Sequence, residues 1–107
     1  MIERRAEPRL LCSDLIRVLL AGARRAELTA NLEDISPSGA CVQVEELLPV
    51  GTAVCLVCHQ CQFSGQVRYC IHNEIGYFAG IRFDTGRKWS RKEYEPGHLL
   101  DPAVLGR

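Results

Sequence analysis

The chain has 107 residues, 47% of them hydrophobic and 24% charged, which supports one modest core and leaves too little for two. Thirteen basic residues balance thirteen acidic ones, so no net field steers a polyanion and general binding to nucleic-acid polymers is disfavoured. No apolar run approaches the length of a membrane span, and the amino terminus is too charged for a signal peptide, so a cytoplasmic location with reduced thiols is expected.

Residues 1–9 carry three arginines and two glutamates with little to bury, and Pro8 biases Glu7 toward an extended form, so a flexible arm is expected there. From about Leu11 to Leu20 the chain is apolar enough for a first strand, and Ala21-Gly22-Ala23 supplies a turn. Leu28, Ala30 and Leu32 alternate with Glu27, Thr29, Asn31 and Glu33, the period-2 pattern of a half-buried strand. Ser36-Pro37-Ser38-Gly39 breaks it. Val42 and Val44 mark a third strand, stopped by Pro49 and Gly51, and Ala53 to Cys58 reads as a fourth.

Val67, Tyr69 and Ile71 are expected on the inward face of a fifth strand. Asn73-Glu74 turns into a sixth, with Ile75, Tyr77, Ala79, Ile81 and Phe83 along one face. Six short strands at regular spacing imply an all-β barrel or sandwich. After Phe83 the alternation stops. Pro96, Gly97 and Pro102 leave room for a helical turn or two, around Lys92 or Leu105, with Trp89 as an anchor on the barrel.

Two segments carry the chemistry. Arg5-Ala6-Glu7-Pro8-Arg9 is an Arg-x-x-x-Arg pair with Arg4 in front of it. Asp34-Ile35-Ser36-Pro37-Ser38-Gly39 is Asp-x-Ser-x-x-Gly, a turn able to present oxygens and backbone N–H groups to a ligand. Together they suit something anionic that also has hydrogen-bond donors. In this order they resemble the PilZ domain, a bacterial receptor module for the second messenger cyclic di-GMP. Gly76-Tyr77-Phe78-Ala79-Gly80-Ile81-Arg82-Phe83 is similar to the late strand of that family, and the resemblance runs from about Arg4 to Phe83.

The resemblance implies a six-stranded antiparallel β-barrel and a non-enzymatic receptor whose arm changes conformation on binding and signals to a partner protein. It also implies that Arg5 and Arg9 grip guanine and phosphate, with Asp34, Ser36 and Gly39 completing the cradle. The chemistry agrees. An arginine fork meets guanine O6 and N7, or a phosphate, with two parallel bonds. A carboxylate accepts from the guanine N1–H and N2–H edge, and glycine permits close backbone approach or positive φ. The residue before the arginine motif is the one that, in this family, looks to decide between one and two bound nucleotides. Arg4 there implies two molecules of cyclic di-GMP per domain.

The cysteines offer a different class of reading, a metal or redox module on Cys55 to Cys61. Cys55-Leu56-Val57-Cys58-His59 spells the c-type haem attachment signature, but on a strand its cysteines point to opposite faces, roughly 10 Å apart. Cys58 and Cys61 would face each other across a His59-Gln60 turn, yet a closed zinc site needs four ligands and no second Cys-x-x-Cys exists. The thiols are therefore read as core filling, with no metal and no cofactor. A barrel that binds only protein, without nucleotide, is a further alternative. No Ser/His/Asp spacing, phosphate-binding glycine loop or acid/base carboxylate pair marks an enzyme. The expected organisation is a ligand-binding arm at 1–9, a barrel at 10–85 and a tail at 86–107 that packs on it.

Overall fold

Period-2 alternation puts one face of each strand toward a common interior, and closure of the sheet on itself leaves that interior dry. In the computed structural model, which describes residues 7–22 and 26–100, the strands are β1 (Leu10–Leu20), β2 (Ala26–Ser36), β3 (Gly39–Val44), β4 (Ala53–Cys58), β5 (Cys61–Asn73) and β6 (Gly76–Phe83). They close into an antiparallel barrel in the order β1-β2-β3-β6-β5-β4, with β1 pairing β4 through Arg17↔Val57 to Leu20↔Val54. Val18, Leu32, Ile35, Leu56, Phe63 and Val67 are fully buried inside it. Leu48, from the β3–β4 connection, joins the same core.

The strand register shifts at three places, between Leu11 and Asp14 on β1 and at two further points that set which side chains face outward. Between Leu32 and Asp34 the register of β2 on β3 shifts by one residue, so Glu33 is extra. Leu32 and Ile35 are three apart yet both face the core, which leaves Asp34 and Ser36 directed away from the interior. Between Val67 and Tyr69 the register of β5 on β6 shifts likewise, with Arg68 extra. The expected inward face of β5 therefore holds only as far as Val67. Tyr69 and Ile71 are exposed, and Cys70 points inward in their place. A β-bulge reverses the facing of every later side chain on its strand, which is the physical reason for the correction. On β6, Ala79, Ile81 and Phe83 are buried as expected, whereas Ile75 sits exposed in the preceding turn.

Among the described residues the segment after β6 contains no helix. One of its turns, at Ser90–Glu93, is closed by Glu93 N–H and Tyr94 N–H donating to Ser90 O. Trp89 is buried, donating its indole N–H to Tyr94 O at 2.8 Å and its backbone N–H to Pro37 O. Farther on, Leu100 N–H donates to Leu11 O and Ser13 N–H to Gly97 O, covering the part of β1 that β4 does not reach. Leu105 lies outside the described residues.

This segment is held at Asp14. The Asp14 carboxylate accepts from Tyr94 Oη at 2.6 Å and from Gly97 N–H at 3.1 Å, with His59 Nε2 at 3.2 Å. Burial alone would raise the Asp14 carboxyl, but these bonds together outweigh it and hold the group below its ordinary value. A lowered folded value means that the stabilisation is complete above the ordinary carboxyl range, near pH ~4, and is lost as pH falls through the folded value. Urea unfolding at about pH 7 and about pH 3 should show this loss, and Asp14→Asn should be less stable at neutral pH with a flatter acid limb. A variant with the acid limb of the wild type would show that the carboxylate does not anchor the segment.

Candidate functional site

The irregularities of β2 and β5 open toward the same side of the barrel, across the neighbouring strands β2, β3, β6 and β5. There Arg9, Asp34, Ser36, Gly39, Arg68, Tyr69 and Arg82 are among the residues that line an open depression of about 490 Å³. Asp34 and Ser36 are the buried polar residues among those described, and no buried side-chain N or O in the described part lacks a partner. Arg9 donates to Asp34 through both edges of its fork, Nη2 to Oδ2 at 2.7 Å and Nε to Oδ1 at 3.3 Å. The hydrogen bond to Asp34 pushes the Arg9 guanidinium above its ordinary value, so it is cationic at any physiological pH.

Ser36 Oγ donates to Gly39 O at 3.3 Å, which closes the turn on itself. Gly39 is not in the left-handed region. It is required by close approach, since a Cβ there would lie 2.6 Å from the Ile81 carbonyl oxygen. Of the two roles open to this glycine in the sequence, the structure selects the second backbone passing at its side.

The described end of the arm is tied down. Glu7 Oε1 accepts from Ser38 N–H at 3.1 Å and Ser38 Oγ at 2.6 Å, and Lys88 Nζ lies 3.4 Å from Oε2. The Ser38 hydroxyl bond is the main reason that the Glu7 carboxyl sits below its ordinary value. Glu7 and Arg9 therefore dock on opposite sides of Pro8, one on the Ser38 turn and one on Asp34. Arg4 and Arg5 lie outside the described residues.

The family model of the PilZ domain matches residues 3–94, a span that includes Arg9, the Asp34–Gly39 turn and all six strands. The chain belongs to the PilZ family. Two solved structures share the fold. YcgR from Escherichia coli in complex with c-di-GMP aligns with a TM-score of 0.61 and 19% identity, over 78% of this chain and 39% of that one. The PilZ domain of Escherichia coli YcgR with c-di-GMP aligns at 0.57 and 18%, over 78% and 79%. The chain thus spans about 39% of the length of the longer YcgR chain. No curated protein matches it.

Within this PilZ fold, the site brings together four of the six residues singled out from the sequence: Arg9, Asp34, Ser36 and Gly39. Ser38, Arg68, Tyr69, Gly80 and Arg82 also line it and went unrecognised. A signal exists for the irregularity on β2. Leu32-Glu33-Asp34-Ile35 places two acidic side chains between two that belong in the interior, whereas Val67-Arg68-Tyr69-Cys70 carries no such signal.

The cysteine cluster is organised differently. Cys58 and Cys61 pair across the two-residue His59-Gln60 turn, as expected, with His59 at φ 58°. Cys58 is buried, and desolvation pushes its thiol up to about 12, while Cys61 Sγ donates to Glu93 O at 3.2 Å. Among the described residues no three His, Cys, Asp or Glu side chains are grouped to hold a metal ion. No helix in the described part is long and apolar enough to cross a membrane.

Proposed function

We propose that this PilZ domain is a receptor for cyclic di-GMP, which it binds without chemical turnover, passing its occupancy to a partner protein. The observation that carries the reading is the Arg9–Asp34 pair, in which the arm motif and the turn motif, 25 residues apart, meet at one open polar depression. The pair exhausts neither group. A guanidinium has five donors, so Arg9 keeps Nη1 for a guanine edge or a phosphate. A carboxylate has about four acceptor positions, so Asp34 still accepts from guanine N1–H and N2–H. The solved YcgR structures contain the same nucleotide. Arg5 adds a second fork from the arm.

The relay runs through Glu7. It bridges the arm to Ser38 and, through Lys88, to the segment after β6, so an arm that re-seats on the nucleotide alters three elements at once. Calorimetric titration with cyclic di-GMP tests the reading directly: saturable binding supports it, and no binding at millimolar nucleotide rejects it. Arg4 sets the stoichiometry. A guanidinium there can stack on an outer guanine and offset the charge of a second, intercalated nucleotide. The titration should show close to two nucleotides per domain, falling toward one in Arg4→Leu. A one-to-one complex in the wild type at saturation would remove that role from Arg4.

A further inference from the structure

The depression holds two cations outside both motifs. Arg68 on β5 and Arg82 on β6 line it, and among the described residues neither guanidinium has an ion-pair or hydrogen-bond partner. Arg9, by contrast, is matched by Asp34. The described lining therefore keeps two uncompensated positive charges on its β5–β6 side, where a cyclic dinucleotide has two phosphodiester charges to place.

Tyr69 follows Arg68 on β5 and sits opposite Gly80, two residues before Arg82 on β6. Its ring crosses the bare backbone of Gly80, where a Cβ would fall 2.1 Å from a ring carbon, so only glycine leaves room for it there. Tyr69 is 38% exposed, and burial raises its hydroxyl, which stays protonated. A partly exposed ring that shares a depression with arginines can stack a nucleobase while the cations hold the backbone phosphate. The Arg68 bulge is what turns this ring out of the barrel core and onto the site.

We infer that Arg68, Tyr69 and Arg82 form a second recognition subsite on the outer face of β5 and β6, with Tyr69 stacking on a guanine and the two arginines contacting phosphodiester oxygens. The inference rests on the cyclic di-GMP reading above and extends it to residues that neither motif contains. All three side chains are on the surface, so their replacement should leave folding intact, which a thermal melt of each variant checks.

The test is calorimetric titration with cyclic di-GMP of the wild type, Arg68→Ala/Arg82→Ala, Arg68→Lys/Arg82→Lys, Tyr69→Phe and Tyr69→Ala, each at low and high NaCl. The double alanine variant should bind about tenfold more weakly or worse, with a flatter dependence on salt because fewer charges meet the ligand. The lysine pair should restore the salt dependence and only part of the affinity, since charge returns without the fork. Tyr69→Phe should bind like the wild type and Tyr69→Ala about tenfold more weakly, because stacking needs the ring and not the hydroxyl. Wild-type binding with unchanged affinity and salt dependence in the double alanine variant would overturn the subsite and leave the receptor reading standing. Failure of the wild type to bind would overturn both.

Discussion

Arg9→Ala should abolish measurable nucleotide binding at micromolar ligand while the fold persists. Each charge-assisted bond from a fork to guanine or phosphate is worth about 1.5–3 kcal/mol, so losing even one weakens binding by roughly tenfold to a hundredfold. The structural cost is smaller. Arg9 is 40% exposed at its side chain, so its pair with Asp34 is screened and its loss should lower stability by only about 1 kcal/mol. Asp34→Ala should damage binding too, and the two substitutions should be less than additive, because each already removes what organises the other. Calorimetry and urea melts on the single and double variants measure both quantities. Wild-type affinity in the double variant would sink the assignment of this depression as the nucleotide site.

The largest effect on stability is expected from Phe63→Ala. Phe63 is fully buried on β5, stacked on Phe83 with ring centroids 5.2 Å apart and touching Tyr94 at 6.3 Å. The Arg87 guanidinium lies 4.2 Å over the same ring, fixed by bonds to Gln62 O and to the Glu93 carboxylate. Removing the ring opens a cavity under the segment after β6 as well as inside the barrel, at a cost of about 3–5 kcal/mol. That is a large share of the roughly 5–15 kcal/mol by which such a domain is stable. Phe63→Leu should cost about half as much or less, since most of the volume is kept. The midpoint of urea unfolding reads the difference, and faster proteolysis within 84–100 should accompany it. A Phe63→Ala protein as stable as the wild type would show that this ring does not join barrel and tail.

The six strands were legible because the information that sets them is local. Leu28, Ala30 and Leu32 show β2 within five residues, and the turn at His59-Gln60 falls where expected, while the turn expected at Asn73-Glu74 falls one residue later, at Glu74-Ile75. Arg9, Asp34, Ser36 and Gly39 were legible as a set because their spacing resembles a known family, and the structure places them around one depression. What alternation alone could not supply was its own phase beyond a bulge. Tyr69 and Ile71 continue the pattern of Val67 letter by letter, yet they face outward because Arg68 is unpaired against β6.

The same limit applies to contacts between distant segments. Asp14 is separated by 80 and 83 residues from the Tyr94 and Gly97 groups that it accepts from, and no pattern around Asp14 announces them. Gly39 could have been a positive-φ residue or a close-approach residue. The choice was made by Ile81 O, which belongs to another strand. The sequence by itself determined which residues form strands and which side chains have the chemistry for an anionic nucleotide. The tertiary structure alone decided which of them face the same space, because facing depends on register with a partner strand and a single extra residue in one strand of a pair reverses it.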